Sequence, residues 1–131
     1  MPENINYTRL TTNDDARWNN LLLASINASY RASMGFVYSK EQFGRENETY
    51  IFRHNEEDIA GVHYSIRKVT TGIFKTGDII SGILFRNEPE ENILNYILDH
   101  FSSWGKEKGA SYLRFSPWLP YIIEAKETGY F

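Results

Sequence analysis

The spacing of apolar residues changes period several times along the chain, and each change marks an element. Ile5 and Tyr7 alternate loosely toward Leu10, the two-residue period of a short first strand. Thr11-Thr12-Asn13-Asp14-Asp15 then offers helix-start chemistry: a Thr or Asn oxygen can accept from orphan backbone N–H groups, and aspartates suit the positive helix end. Trp18, Leu21 and Leu22 fall at i, i+3 and i+4, which predicts a helix from about Asp14 to about Ser25. From Ile26 to Gly44 the pattern is mixed. It reads as a connecting loop and a short helix around Ser39-Lys40-Glu41-Gln42-Phe43, which Gly44 stops in left-handed geometry.

The middle of the chain reads as sheet. Thr49 to Arg53 is a strand, His54-Asn55-Glu56-Glu57-Asp58 a polar turn, and Ile59 to Val69 a second strand, together a hairpin. Val62, Tyr64 and Ile66 share one face of the second strand; Gly61, His63, Ser65 and Arg67 share the other. Thr70-Thr71-Gly72 turns into Ile73-Phe74-Lys75, and Gly77-Asp78 leads into a further strand from Ile79 to Phe85. Adjacent strands with short connections predict an antiparallel meander.

Asn87-Glu88-Pro89-Glu90-Glu91 is the strongest helix start: proline needs no N–H in a first turn, and glutamates face the positive dipole end. Ile93, Leu94, Ile97, Leu98, Phe101 and Trp104 form a wide apolar stripe, Lys106 and Lys108 suit the negative end, and Gly109 caps it. Ala110 to Ser116 is a strand halted by Pro117, and Tyr121 to Thr128 a short helix closed by Gly129. A long helix joining Phe85 to Tyr112 predicts a right-handed crossover between parallel strands. The fold class is therefore α+β or mixed α/β, one mostly antiparallel sheet with helices packed on it.

Composition narrows the picture. The 131 residues suit a single domain, or a fraction of a larger one, and 15% aromatic content supplies area for a real core. With Cys 0 there is no thiol nucleophile, disulfide or thiolate metal site. No run approaches the ~20 apolar residues of a membrane helix, so no integral membrane segment and a cytoplasmic location are expected. A net charge of −3 disfavours broad nucleic-acid binding.

Candidate chemistry is sparse. His54, His63 and His100 lack the i, i+2 or i, i+4 spacing of a metal pair, and neither a metal nor a resident cofactor is expected. His63 shares its face with Ser65 and Arg67; that face is open to solvent unless it lines a cleft, where His63 can act as acid or base. The glutamates near Pro89 are accounted for by helix-start electrostatics. Tyr30, Phe36, Tyr38 and Phe43, interleaved with Arg31, Lys40 and Arg45, form a basic and aromatic cluster. It either packs over the sheet edge or holds a phosphate-bearing or ring-containing ligand.

From about Trp18 to Phe131 the order of motifs resembles the N-terminal half of FemAB-type peptidoglycan peptidyltransferases. The matching pieces are Ala32-Ser33-Met34-Gly35-Phe36, Glu57-Asp58-Ile59-Ala60-Gly61-Val62, Ser81-Gly82-Ile83-Leu84 and, best, the run from Trp104 to Pro117 that includes Lys108-Gly109-Ala110 and Leu113-Arg114-Phe115-Ser116-Pro117, ending with Gly129-Tyr130-Phe131. The resemblance implies a GNAT-like (acyl-CoA N-acyltransferase-like) sheet lacking the terminal strands. It implies one half of a two-domain protein, and transfer of an activated amino acid or acyl group to an amine, in the manner of cell-wall peptide bridge formation. It also implies a nucleotide-linked cell-wall precursor and aminoacyl-tRNA as partners, with Lys40 near a family lysine that contacts nucleotide phosphates. Arg31, Lys40 and Arg67 are the candidates to hold an anionic substrate, with Phe36, Tyr38 and His63 beside them; no catalytic residue is named.

The departures point elsewhere. Phe36 replaces a usual Trp, Arg86 stands where the family has an acidic residue, and Ser116 where Asp precedes the proline. The junction Phe85-Arg86-Asn87-Glu88-Pro89 replaces the Gly-rich pyrophosphate loop of GNAT enzymes, and its carboxylates repel a pyrophosphate. Two further readings are therefore a non-catalytic interaction module on the same fold and a divergent acetyl-CoA-dependent N-acetyltransferase. An exposed sheet edge predicts a homodimer, a second domain or a partner chain.

Overall fold

The computed structural model describes residues 4–11, 14–27, 46–69, 74–79 and 82–114. In chain order the elements are β1 (Ile5–Leu10), α1 (Asp15–Ala24), β2 (Glu46–His54), β3 (Glu57–Val69), β4 (Phe74–Ile79), β5 (Leu84–Phe85), α2 (Glu91–Glu107) and β6 (Tyr112–Arg114). The sheet order is β1-β2-β3-β4-β6, with β5 paired to β3. All pairs are antiparallel except β4 with β6, which runs parallel as the crossover through α2 predicts.

The hairpin is tighter than the sequence suggests. His54 pairs with Glu57, leaving Asn55 and Glu56 as a two-residue loop, both at positive φ (51° and 66°). That is the mirror-image turn whose twist matches the flanking strands, and Asn accepts it readily. Both strands consequently run longer than expected.

One face of the sheet packs on α2. Tyr50, Phe52, Val62, Tyr64, Ile66, Ile79 and Phe85 meet Ile93, Ile97, Phe101 and Trp104, the buried stripe of the helix. Helix α2 starts at Glu91, later than its start signal: Glu90 is the extended N-cap residue, so Pro89 lies before the helix rather than in its first turn. Its C-terminus closes as predicted. Gly109 sits at φ 76°, its N–H donates to the Lys106 carbonyl (3.1 Å), and the Ala110 N–H donates to Gly105 (2.9 Å). Leu113 of β6 wedges between Gly77 of β4 and Gly105 of α2, where added methyl groups would collide with it.

The opposite face carries α1. Trp18 and Leu21 pack on Leu10, Ile51 and Leu84 and lie over Gly61. The start of α1 differs from expectation: the Asp14 carboxylate accepts from both the Thr11 N–H (2.8 Å) and the Thr11 hydroxyl (3.0 Å), so Thr11 donates rather than caps. The solvent-facing alternative for Gly61, His63 and Ser65 is corrected as well, because all three are buried. Covering both faces makes β3 the central buried strand.

The strand expected from Ile79 to Phe85 is also revised. Gly77 and Asp78 lie inside β4 (Phe74–Ile79), and Leu84 and Phe85 form the separate two-residue β5. The expected helices at Ser39–Phe43 and Tyr121–Thr128, the 70–72 turn, and the end of the last strand lie outside the described residues. Among the described residues, no helix is long and apolar enough to cross a membrane.

Charge under α2 is closely paired. Glu48, buried on β2, accepts from Lys108 Nζ (2.7 Å) and the Tyr50 hydroxyl (2.9 Å), with Arg9 Nε at 3.5 Å. Burial alone would raise its pKa, but Lys108 and Tyr50 more than offset this and hold the carboxyl below its ordinary value. Nearby, burial raises the pKa of Tyr64 and lowers that of His100, and the Tyr64 hydroxyl lies 2.7 Å from His100 Nδ1 in a hydrogen bond.

Two outcomes are expected. Gly61→Ala places a methyl against the Trp18 ring (2.8 Å from its Cη2) and Leu21 Cδ2 (2.9 Å), so urea unfolding should show a loss of about 1–3 kcal/mol. Glu48 and Asp58 both have carboxyl pKa values lowered by folding, so the stability they add is present above the unfolded values near 4.5 and 3.8 and disappears as pH falls through the folded ones. The thermal midpoint should therefore drop steeply below about pH 4–5, and Glu48→Gln should flatten part of that drop.

Candidate functional site

The most distinctive local feature is a break in strand pairing. Tyr64 pairs with Ile79 and Gly61 pairs with Leu84. Between these two pairs the outer segment advances from 79 to 84 while β3 runs only from Tyr64 to Gly61. The ladder rejoins two residues out of step. Such an excess takes backbone groups out of the ladder and bends the strand away from its neighbour. Gly82 within it adopts φ 77°, a conformation that favours glycine.

Beyond the break, the outer edge of β5 is occupied by the residues that follow α1. The Ile26 N–H donates to the Phe85 carbonyl (2.9 Å), the Phe85 N–H to Asn27 Oδ1 (2.9 Å), and Asn27 Nδ2 to the Ile83 carbonyl (2.8 Å). Ile26 and Asn27 act as a short stand-in for a neighbouring strand. This clamp ties the end of α1 to the break.

The α1 side of the sheet beyond Trp18 is polar. Strand alternation and register place Thr49, His63, Ser65, Arg67, Thr76, Asp78, Tyr112 and Arg114 on that side. His63 is 1% exposed; its Nδ1 lies 2.8 Å from Thr49 Oγ1 and its ring lies against Trp18, tilted by 39° with centroids 4.0 Å apart. Among the described residues, fully buried Ser65 has no partner for Oγ, and the buried Arg67 Nε also has none. Asp78 accepts from Arg114 Nε at 2.9 Å.

Of the sequence-derived candidates, the structure brings His63 and Arg67 onto one face of one strand. Arg31, Phe36, Tyr38 and Lys40 lie outside the described residues. Thr49, Thr76, Asp78 and Asn27 escaped the sequence reading. Alternation through 74–79 places Thr76 and Asp78 opposite Arg67 and Ser65, whereas the sequence reading has Gly77-Asp78 leading into a separate strand from Ile79.

A second constellation lies at the hairpin tip and the start of α2. Arg17 grips Asp58 with two hydrogen bonds of 2.9 Å, and Arg53 Nε lies 3.2 Å from the same carboxylate. The Arg17 hydrogen bonds lower the pKa of Asp58 despite partial burial. Arg86 donates from Nε to the Asp58 carbonyl (2.9 Å) and lies 3.4 Å from Glu57. Arg86 is thus a structural tie between hairpin and α2. Next to it, His54, Ile59, Phe85, Asn87, Glu88, Pro89, Glu90 and Ile93 line a pocket of about 160 Å³. Glu88, Glu90 and Glu91 are all exposed there, so negative charge surrounds the helix N-terminus. Among the described residues, no three His, Asp or Glu side chains come together as metal ligands.

No protein-family model matches the chain, and comparison with curated protein sequences finds no match. Solved structures do resemble it. An aminoglycoside acetyltransferase from an uncultured soil metagenomic sample superposes with a TM-score of 0.65 at 14% identity, over 95% of this chain and 90% of that one. A GNAT family acetyltransferase from Staphylococcus aureus gives 0.64 at 8% identity over 86% of each chain. A predicted acetyltransferase with acetyl-CoA from Clostridium acetobutylicum gives 0.61 at 15%, over 95% and 88%. The chain therefore has the GNAT acyltransferase fold, a mixed α/β layer with a mostly antiparallel open sheet flanked by helices.

Replacing Asn27 tests the clamp. Asn27→Ala leaves the Phe85 N–H and the Ile83 carbonyl without their partners and should cost about 1–3 kcal/mol. Amide exchange at Phe85 should accelerate while that at Val62 and Tyr64 of β3 changes by no more than the global loss.

Proposed function

We propose that this chain belongs to an acyl-transfer system, moving an activated amino acid or acyl group onto an amine. The observation that carries the reading is the break in pairing between Ile79 and Leu84, set on a GNAT-like sheet beside a buried polar face. In such a reaction an amine attacks an activated ester, and the carbonyl oxygen gains negative charge. Backbone N–H groups taken out of a ladder are donors of the kind that stabilise that charge. The rest of the task is positioning. The polar face is where the acceptor lies, with His63 and Arg67 on it; Arg31, Phe36, Tyr38 and Lys40 are candidates for substrate binding from the sequence alone.

For the donor, we favour an aminoacyl ester of the FemAB type, with a nucleotide-linked cell-wall precursor as acceptor. Glu88, Glu90 and Glu91 repel a pyrophosphate at the start of α2, and Ile26 and Asn27 already fill the outer edge of β5. Acetyl-CoA is the second reading, favoured by the likeness to the Clostridium acetobutylicum structure with that ligand. A second copy or a further domain is the proposed cover for β6, where Tyr112, Leu113 and Arg114 are all exposed.

Thermal shift and mass detection of acylated amine, with aminoacyl-tRNA and with acetyl-CoA as donors, separate the readings. Stabilisation by aminoacyl-tRNA and by the nucleotide-linked precursor, followed by aminoacyl transfer, is expected. Binding and transfer with acetyl-CoA alone would overturn the donor assignment, and transfer from neither donor would overturn acyl transfer itself.

A further inference from the structure

Arg67 differs from every other described arginine. Arg9, Arg17, Arg53, Arg86 and Arg114 each pair with a carboxylate. Arg67 has no carboxylate partner among the described residues, although it is half-buried and its Nε is wholly enclosed. A guanidinium stays charged at any pH at which the protein is folded, so burial cannot be relieved by losing the proton.

Among the described residues, its surroundings do not supply the missing partner. Ser65, two residues back on the same face, presents a buried hydroxyl that is itself unpartnered. Thr76 lies opposite Arg67 and Asp78 opposite Ser65. Asp78, the one carboxylate that register places on this face among the described residues, is held by Arg114. Lys68 and Lys75 pair with each other and project from the other side of the sheet. Among the described residues the face therefore holds two guanidinium cations against one carboxylate, with Ser65 Oγ and the Arg67 side chain about one strand repeat (~6.5 Å) apart and Asn47 opposite Ser65. Unpaired buried donors are rare in folded proteins and call for a specific explanation. A planar oxyanion supplies one here, because it accepts from a guanidinium fork and a hydroxyl together.

We propose that Arg67 and Ser65 form an oxyanion subsite, so that the acceptor is an amine that also carries a carboxylate or a phosphate. The subsite rests on the acyl-transfer reading only for the amine; the anion is argued from Arg67 and Ser65 alone. His63 lies two residues beyond Ser65, facing the break in pairing. The anionic group is thus held at one end of the polar face and the rest of the acceptor extends toward the break.

The test follows the Arg67 Nε–H signal in nitrogen-15 side-chain spectra, assigned by its loss in Arg67→Lys. L-Lysine is compared with L-lysinamide, and phosphoethanolamine with ethanolamine, without any acyl donor present. The Arg67 signal should move and saturate with the member of at least one pair that carries the carboxylate or phosphate, and stay in place with both members that lack it. The pair that responds tells carboxylate from phosphate. Binding of the responding probe should weaken about tenfold in Arg67→Lys, which keeps the charge and the stem, and severalfold in Ser65→Ala. Equal response to members with and without the carboxylate or phosphate, or unchanged binding in Arg67→Lys, would overturn the subsite. If that happens while acyl transfer is observed, the functional reading stands without the subsite. Anion binding with no transfer from either donor leaves the subsite and removes the function.

Discussion

Everything about the candidate site depends on a mismatch of two residues in one ladder. From Val69 to Tyr64, β3 pairs in step with β4; from Gly61 to Ala60 it pairs with β5 in a different register. A sheet strand cannot absorb two extra residues without presenting backbone to something else. The chain answers this on one side with Asn27, whose amide serves the Phe85 N–H and the Ile83 carbonyl together. On the other side of the break, β4 keeps a parallel neighbour in β6. Strand addition on one flank and side-chain clamping on the other let the sheet change partners without losing its edge.

The Asp58 cluster gives that arrangement its frame. Asp58 sits at the hairpin tip, yet its carboxylate takes Arg17 from α1 and Arg53 from β2, while its carbonyl takes Arg86 just before α2. One residue thus ties elements from both sides of the sheet. The groups are partly exposed, so no single pair adds much stability. Their contribution is geometric: a bidentate guanidinium fixes direction as well as distance. Arg86 stands where the FemAB resemblance places an acid, and its role as a tie accounts for the cation without any part in chemistry.

What was legible in the chain follows from period and punctuation. The stripe from Ile93 to Trp104, the Gly109 stop and the alternation through Val62, Tyr64 and Ile66 each announced an element that the structure contains. Parallel pairing of the last strand followed from the length of α2. The change of register between Ile79 and Leu84 was not legible, because that run is apolar apart from Ser81 and Gly82, and such a run reads as one continuous strand. Thr76 and Asp78 were hidden by Gly77, a turn signal that here only admits Leu113. The burial of His63 was invisible for another reason. Alternation says that two faces differ, but only a packed helix decides which of them is wet, and Trp18 lies over the polar one.

That last point explains why a polar face persists inside a small domain. A domain of this size has about 5–15 kcal/mol of net stability, and each buried polar group without a partner costs about 1–3 kcal/mol. His63 is accommodated by Thr49 and Trp18, and Asp78 by Arg114. Ser65 and Arg67 are not accommodated in the same way. Selection for stability alone would favour valine or threonine at such positions, as on the α2 side of the same strand, where Val62, Tyr64 and Ile66 are close-packed. A central strand that is optimised on one face and left unfinished on the other has a physical rationale when the unfinished face is completed by something the chain does not itself supply.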